Sequence, residues 1–204
     1  MAGEEAHAKG EDGLQRAKHW LDSSTRLKRV WTSRDRSLGQ LCHFEWPHAT
    51  GQMRPFSFDL GGNFQGGSLH DQSFLAEVKN YRYESDLPVE FRKFQAKCYV
   101  ALMRQPSLSD HFLWISWAPF QAGKWDKHAT VDSVCAALKH KDNRNRLFGV
   151  DTEADAVTQL DKALAAQVAN RIWLVTLCDQ QEQLVLMGKY HKVISSLMAE
   201  EYGS

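Results

Sequence analysis

The stretch Ser73-Phe74-Leu75-Ala76-Glu77-Val78-Lys79 is mostly apolar and ends in a carboxylate and an ammonium group two residues apart. Its length and its consecutive apolar residues predict a strand that is buried on both faces. Successive side chains of a strand alternate between faces, so Glu77 and Lys79 would point to the same face of a sheet. At about 3.3 Å per residue their Cα atoms would lie about 6.6 Å apart, which leaves room for a metal ion and a water between the side-chain tips.

The preceding stretch, Pro55-Phe56-Ser57-Phe58-Asp59-Leu60, alternates apolar residues with Ser57 and Asp59. This period of two predicts a second strand, and the strand carries a second acid. Permissive backbone follows at four glycines, Gly61, Gly62, Gly66 and Gly67. The two stretches therefore predict a hairpin with a long glycine-rich loop.

The spacing within this hairpin also predicts its register. If the chain reverses near Ser68, residues placed symmetrically about Ser68 face each other, and Asp59 lies opposite Glu77. Directly opposed side chains in antiparallel strands have Cβ atoms about 4.5–5.5 Å apart. Two carboxylates at that distance repel each other, so we expect either a cation between them or a protonated acid.

The bulk composition narrows the class of protein. Residues 1–13 are small and charged, which predicts a disordered tail, and residues 14–204 are predicted to form one domain. Lys and Arg total 25 and Asp and Glu total 25, so a polyanion would have to bind a local patch. The four cysteines are scattered, which fits reduced thiols and a cytoplasmic protein. No apolar run reaches the roughly 18 residues that span a bilayer, so we expect a soluble protein with no membrane partner.

Hydrophobic periodicity predicts the remaining elements. Strands are expected at 41–46, 112–117 and 171–177, and helices at 14–31, 88–104, 130–141 and 153–170, the first of which Ser23-Ser24-Thr25 can interrupt. The C-terminal residues fit either a short strand at 184–187 or a long helix that ends near Tyr202. In the helix at 88–104, Gln95 and Tyr99 are four residues apart and share a neighbouring face.

The order of these elements and acids resembles a known superfamily. A helix, then strands that carry Asp59 and Glu77-Val78-Lys79, then a helix that carries Gln95 and Tyr99, resemble the PD-(D/E)XK superfamily of restriction-endonuclease-like nucleases. The Gln-x-x-x-Tyr pattern resembles the signature of its RecB-like branch. The similarity covers about residues 14–102, and it departs from the family at Phe58, where a proline often precedes the first acid.

The resemblance implies an α/β fold with a central mixed β-sheet flanked by helices, and metal-dependent hydrolysis of phosphodiester bonds in DNA. Asp59, Glu77 and the carbonyl of Val78 would hold Mg²⁺, for which Mn²⁺ can substitute. Such an ion lowers the pKa of a bound water and neutralises charge at the scissile phosphate. Lys79 would orient that water and stabilise the developing anion, and Gln95 would help to position the lysine, the water or the substrate.

Three further residues of the same helix, Tyr99, Lys97 and Arg92, either contact phosphate in the substrate or only decorate the helix surface. The basic segment at 139–146 is interpreted first as a solvated loop and second as a track for a nucleic-acid backbone.

The main alternative function is a catalytically inactive restriction-endonuclease-like module that binds nucleic acid or a protein partner. A subunit of a larger nuclease complex and a homodimer also stay open. Roles in defence, restriction, repair or as a toxin are all compatible with the predicted activity.

Overall fold

The computed structural model describes residues 2–24, 26–48, 55–81, 86–185 and 188–202. They form an α/β fold with a five-stranded mixed sheet that is flanked by helices. The strands are β1 (Leu27–Thr32), β2 (His43–Glu45), β3 (Pro55–Ser57), β4 (Leu60–Phe64), β5 (Ser73–Lys79), β6 (His111–Ser116) and β7 (Ile172–Thr176). The α-helices are α1 (Ala2–Asp22), α2 (Leu87–Arg104), α3 (Val131–Lys139), α4 (Lys141–Phe148), α5 (Glu153–Gln159), α6 (Lys162–Arg171), α7 (Asp179–Glu182) and α8 (Gly188–Tyr202).

The strand order of the main sheet is β1-β4-β5-β6-β7, and five strand ends lie at one edge, among them the end of β1, where Thr32 pairs with Leu60. β4 is antiparallel to β1 and β5, whereas β5, β6 and β7 are parallel to one another. The carboxyl ends of the parallel strands, at Lys79, Ser116 and Thr176, therefore lie at the same edge as the start of β4. β2 and β3 form a separate two-stranded sheet.

Helices cover the two faces of the sheet with separate apolar clusters. On one face, Leu14 and Leu21 of α1 belong to a buried cluster with Phe74 of β5 and Ile115 of β6. The opposite face packs against α2, and its larger cluster includes Phe94 and the fully buried Trp114 of β6. Leu75 belongs to this second cluster, and residues two apart on a strand share a face, so Glu77 and Lys79 point toward α2.

The predicted register of the hairpin is confirmed. Leu60 pairs with Ala76 and Gly62 with Phe74, and each pair is placed symmetrically about Ser68. The loop, however, begins after Phe64, because Gly61 and Gly62 lie inside β4. A Cβ at Gly61 would lie 2.6 Å from Nε1 of Trp31, and one at Gly62 would lie 2.4 Å from the ring of Phe74. These glycines therefore serve close aromatic packing, and the expectation that they start the loop is wrong.

Several predicted helices end earlier than their apolar spacing suggested. The helix predicted at 14–31 ends at Asp22, and its second half is β1, because β-branched Val30 and Thr32 pair with β4. The helix predicted at 153–170 is broken before α6, where the carboxylate of Asp161 accepts hydrogen bonds from the main-chain N–H groups of Ala163 and Leu164.

Both ends of the chain carry helices. α1 begins at Ala2, in the segment for which a disordered tail was predicted, and Asp12 of α1 accepts a hydrogen bond from the side chain of Asn80 at 3.1 Å. α8 follows the helical alternative for the C-terminal residues, although 186 and 187 lie outside the described residues. Of the helices in the described ranges, none is both long and apolar enough to cross a bilayer.

Candidate active site

Asp59 lies at the break between β3 and β4, where the edge of the main sheet begins. Its main-chain N–H donates to the carbonyl of Ala76 at 2.9 Å, and its own carbonyl accepts from the N–H of Ser33 at 3.0 Å. Its carboxylate oxygen Oδ2 accepts a hydrogen bond from the N–H of Val78 at 2.8 Å. The main chain of Asp59 therefore makes the last hydrogen bond to β5 on this side, and its side chain makes the next one, to Val78. The carboxylate of Asp59 is fixed in this way beside Val78, the neighbour of Glu77.

Glu77 is buried and binds two ammonium groups. Its Oε1 lies 2.9 Å from Nζ of Lys79, and its Oε2 lies 2.7 Å from Nζ of Lys97. Lys79 also contacts Oε2 of Glu90 at 3.1 Å, and Lys97 also donates to the carbonyl of Ser57 at 2.9 Å. One lysine from the same strand and one from α2 therefore converge on Glu77.

The electrostatics of the two acids differ because only one of them has close cations. Burial and then the negative charge of Glu77 raise the pKa of Asp59 to about 6, although the hydrogen bond from Val78 and the charges of Lys79 and Lys97 act to lower it. Burial alone would also raise the pKa of Glu77, but the charges and hydrogen bonds of Lys97 and Lys79 outweigh it and lower that pKa to about 2. Glu77 is therefore an anion at any physiological pH. The repulsion between the two acids acts on Asp59, whose proton is held more tightly.

Lys79 stays protonated in this site. Burial would lower the pKa of its ammonium, but the charge of Glu77 and its hydrogen bond to Glu77, followed by the charge of Glu90, raise the pKa above its ordinary value. Lys79 can therefore stabilise negative charge, and it cannot serve as a base near neutral pH.

Of the residues predicted on α2, the structure brings only Lys97 into contact with the acids. Gln95 donates from Nε2 to the carbonyl of His128 at 3.0 Å and to Oγ of Ser133 at 2.9 Å, so it ties α2 to the start of α3. The hydroxyl of Tyr99 accepts from the N–H of Asp161 at 3.2 Å.

Arg92 also lies away from the acids. Its carbonyl accepts from Nδ2 of Asn143 at 3.1 Å, and its Nε is buried without a hydrogen-bond partner among the described residues. Residues two apart on an α-helix point about 200° apart, which explains why Lys97 faces the sheet while Gln95 and Tyr99 do not. The catalytic role given to Gln95, and the substrate contacts given to Tyr99 and Arg92, stay predictions that these side-chain positions do not favour.

Glu90 is a site residue that the sequence reasoning missed. Glu90, Phe94, Lys97 and Ala101 follow one another at spacings of four, three and four, which is the period of a buried helix stripe. Phe94 and Ala101 are fully buried, so the two charged members of this stripe had to face the sheet as well. That pattern was the available signal for Glu90 and for the buried position of Lys97.

The donor set suits a hard divalent cation. Mg²⁺ commonly takes one or two carboxylates and completes its shell with waters and substrate phosphate, which matches Asp59 and Glu77. The N–H and C=O of one strand residue point to the same neighbour, so the carbonyl of Val78 faces Asp59, as its N–H does. No group of three or more metal-ligating His, Cys, Asp or Glu residues occurs within the described ranges. An ion at this place would have to be held by Asp59, Glu77 and the carbonyl of Val78, and it would have to displace an ammonium group from Glu77, whose two oxygens are bound by Lys79 and Lys97.

Comparison of this chain with protein-family models, with curated proteins and with solved structures returned no match. The assignment of the site therefore depends on its own geometry and chemistry.

Proposed function

We propose that this protein is a metal-dependent nuclease with a restriction-endonuclease-like fold that hydrolyses phosphodiester bonds of DNA. The observation that carries the proposal is the convergence of Asp59, Glu77 and Lys79 at the end of β5, where Asp59 binds the main chain of Val78 and Glu77 binds Lys79. Ligands of open α/β sheets bind outside the carboxyl ends of the parallel strands, and these residues lie at that edge.

Each of the three side chains has a defined part in the proposed reaction. A bound divalent ion supplies a water of lowered pKa and neutralises charge on the scissile phosphate. Asp59 and Glu77, with the carbonyl of Val78, would hold that ion as anionic and neutral oxygen ligands once an ammonium group leaves Glu77. Lys79 presents a permanent positive charge to the phosphate oxygens as negative charge develops on them.

The fold supports the proposal in a second way. Asp59 comes directly before β4 and Glu77 lies on its antiparallel neighbour β5, and the parallel strands β6 and β7 extend the same sheet. The helix that follows β5 brings Lys97 to Glu77 and Glu90 to Lys79. This arrangement matches the order of elements on which the superfamily resemblance depends.

The direct test is DNA cleavage under controlled metal conditions. Purified protein is incubated with supercoiled plasmid and with labelled single-stranded DNA in Mg²⁺, in Mn²⁺ and in excess EDTA. We expect cleavage in either metal and none in EDTA. Cleavage of equal rate in EDTA would contradict metal dependence, and no cleavage of any DNA would contradict nuclease activity.

One observation favours the alternative function, an inactive module that binds nucleic acid or a protein partner. Both oxygens of Glu77 are already matched by ammonium groups, so the acid is neutralised without a metal ion. If the protein binds DNA in a gel-shift assay but never cuts it in Mg²⁺ or Mn²⁺, this alternative replaces the nuclease proposal.

The free cysteines support a cytoplasmic location for this protein. Cys42, Cys98, Cys135 and Cys178 are free thiols, and burial raises the pKa of Cys42 to about 12. Free thiols, two of them buried and one, Cys178, exposed, fit a reducing cytoplasm, where DNA is accessible to the protein. A homodimer or a larger nuclease complex would add DNA contacts beyond those of one chain.

A further inference from the structure

Lys79 is shared by two acids that come from different elements. Its Nζ lies 2.9 Å from Oε1 of Glu77 on β5 and 3.1 Å from Oε2 of Glu90 on α2. The side chain of Glu90 is 26% exposed, whereas that of Glu77 is only 6% exposed. Lys79 can therefore lose its contact with Glu77 and keep an acidic partner at the more open side of the site.

Lys97, the second ammonium group on Glu77, has no such second acid among the residues that the structure describes. Its Nζ lies 2.7 Å from Oε2 of Glu77, and it donates to the carbonyl of Ser57 at 2.9 Å. Its side chain is 8% exposed. If Lys97 left Glu77, a buried ammonium would keep only a neutral carbonyl, which is strongly unfavourable. Of the two lysines, Lys79 is therefore the one that can release an oxygen of Glu77.

As long as Lys79 stays on Glu77, the site resists a divalent cation. Both oxygens of Glu77 are bound, and an ion at Oε1 would meet the positive charge of Lys79 at close range. Without Glu77, the ion would be left with Asp59 and the carbonyl of Val78. Mg²⁺ usually binds through one or two carboxylates together with phosphate oxygens of the substrate. The DNA-free site therefore offers neither Glu77 nor a phosphate as a ligand.

A backbone phosphate can draw Lys79 away from Glu77. The main chain of Lys79 is held in place, because Lys79 pairs with Ser116 of β6 and its carbonyl accepts from the N–H of Trp117 at 3.4 Å. The side chain, in contrast, is a flexible aliphatic stem with rotatable donors at its tip. Hydrogen bonds from an ammonium to a phosphate oxygen are among the strong ones in proteins. The ammonium can thus turn toward a phosphate while β5 stays in place, and Oε1 of Glu77 becomes free.

We infer that DNA binds before the divalent cation, because the ammonium of Lys79 blocks Oε1 of Glu77 until a backbone phosphate draws it away. Glu90 is then a positioning residue: it keeps its contact with Lys79 after the lysine leaves Glu77. This inference rests on the proposed metal-dependent function, and it specifies the order in which substrate and cation enter the site.

The first experiment measures Mn²⁺ binding to the DNA-free protein by isothermal titration calorimetry. The variant Lys79→Met removes the ammonium and keeps most of the aliphatic stem, so Oε1 of Glu77 is free, and we expect Mn²⁺ to bind at least about tenfold more tightly than in wild type. Lys97 still pairs with Glu77 in this variant, so the fold should persist. Lys139→Met is the matched control, because it makes the same change at the more exposed pair with Glu153 and should bind Mn²⁺ as wild type does.

The second experiment adds DNA. Electron paramagnetic resonance reads the Mn²⁺ bound by wild type with an equimolar duplex in samples frozen immediately after mixing, and the Mn²⁺ bound by the duplex alone is subtracted. We expect at least about tenfold tighter Mn²⁺ binding in the complex than in DNA-free wild type. Glu90→Gln should reduce this gain, since Lys79 then has Glu77 as its one remaining acidic partner among the described residues, and Glu90→Asp should restore part of it.

The outcomes separate the inference from the proposed function. DNA-free wild type that binds Mn²⁺ as tightly as Lys79→Met would overturn the inference and leave the metal-dependent function intact. Tight binding by Lys79→Met without any gain in the wild-type complex with DNA would also overturn it, since phosphate would then not release Glu77. No Mn²⁺ binding by either Lys79→Met or the complex would defeat the proposed function together with the inference. If Lys79→Met does not fold, Lys79→Gln makes the same comparison, because its amide carries no charge.

Discussion

The carboxylate of Asp59 accepts a hydrogen bond from the main-chain N–H of Val78 at 2.8 Å, so a side chain from the start of β4 is fixed to the strand that carries Glu77. Because Val78 follows Glu77 in β5, this hydrogen bond to the main chain of a strand fixes the position of Asp59 relative to Glu77. Among the described residues Asp59 forms no ion pair, whereas both lysines contact Glu77. Burial and then the charge of Glu77 raise the pKa of Asp59.

Asp59→Asn should stabilise the metal-free protein above pH 7. The pKa of Asp59 is raised from 3.8 to about 6 by folding, so the folded state holds its proton more tightly, and stability is lost as the pH rises through this interval. Removing the charge should therefore increase the free energy of unfolding by roughly 2–3 kcal/mol at pH 8 and change little at pH 4. Urea titrations in EDTA at both pH values measure this, with the exposed Asp126→Asn as control. A loss of stability at pH 8 would contradict it.

Glu77→Gln should destabilise the protein strongly, because it leaves the buried Lys97 without its ionic partner. Breaking one side of a buried ion pair costs about 3–5 kcal/mol. Glu153→Gln is the control, since Glu153 pairs with Lys139 on the surface at 3.1 Å and such pairs contribute about 1 kcal/mol or less. The double variant Glu77→Gln with Lys97→Met should recover part of the loss. If the double variant is no more stable than Glu77→Gln alone, the two residues are not coupled.

Lys79→Ala should abolish DNA cleavage and leave DNA binding nearly intact. Removing one group that stabilises transition-state charge lowers kcat by about 100-fold or more. Glu77 keeps Lys97 as a partner in this variant, so the fold should persist. Single-turnover cleavage and a gel-shift titration separate the two effects, with Lys162→Ala as the surface control. Cleavage at the wild-type rate would remove Lys79 from the mechanism.

Gln95→Ala should reduce stability more than catalysis. The substitution leaves the carbonyl of His128 and the hydroxyl of Ser133 without their donor, which costs about 1–3 kcal/mol when such groups are buried. Because Gln95 makes these contacts away from Lys79, we expect kcat measured well below the melting temperature to change less than threefold. A large fall in kcat with unchanged stability would instead support the catalytic role that the superfamily resemblance implies.

Gly62→Ala should destabilise the sheet by about 1–3 kcal/mol, since its new Cβ would lie 2.4 Å from the ring of Phe74. Gly123→Ala is a suitable control, because no atom lies within 4 Å of a Cβ built there. Thermal melts of the two variants compare them directly. Equal melting temperatures would show that the ring of Phe74 moves aside at no cost.

The sequence was informative where a short-range pattern determines the structure. The register of the hairpin follows from symmetry about Ser68, and the shared face of Glu77 and Lys79 follows from the alternation of a strand. The glycines of β4 were misinterpreted because permissive backbone and close aromatic approach favour the same residue type. Only the distant Trp31 and Phe74 distinguish the two explanations.

The helix side of the site needed tertiary information. The spacing of Gln95 and Tyr99 shows that they share a face, but the direction of that face depends on how α2 packs against α3 and α6. The buried role of Lys97 depends on a partner from another element, since only Glu77 makes its burial tolerable. The helix propensities of the α2 residues do not indicate that this partner exists.

The break between β3 and β4 connects the small β2-β3 sheet to the candidate active site. Ser57 ends β3 and receives the ammonium of Lys97, and Asp59 follows two residues later and binds β5. A ligand or neighbouring protein that tilted the β2-β3 pair would therefore move Asp59 and the carbonyl of Ser57, which binds Lys97, at the same time. The proposed activity would then respond to movement of the small sheet.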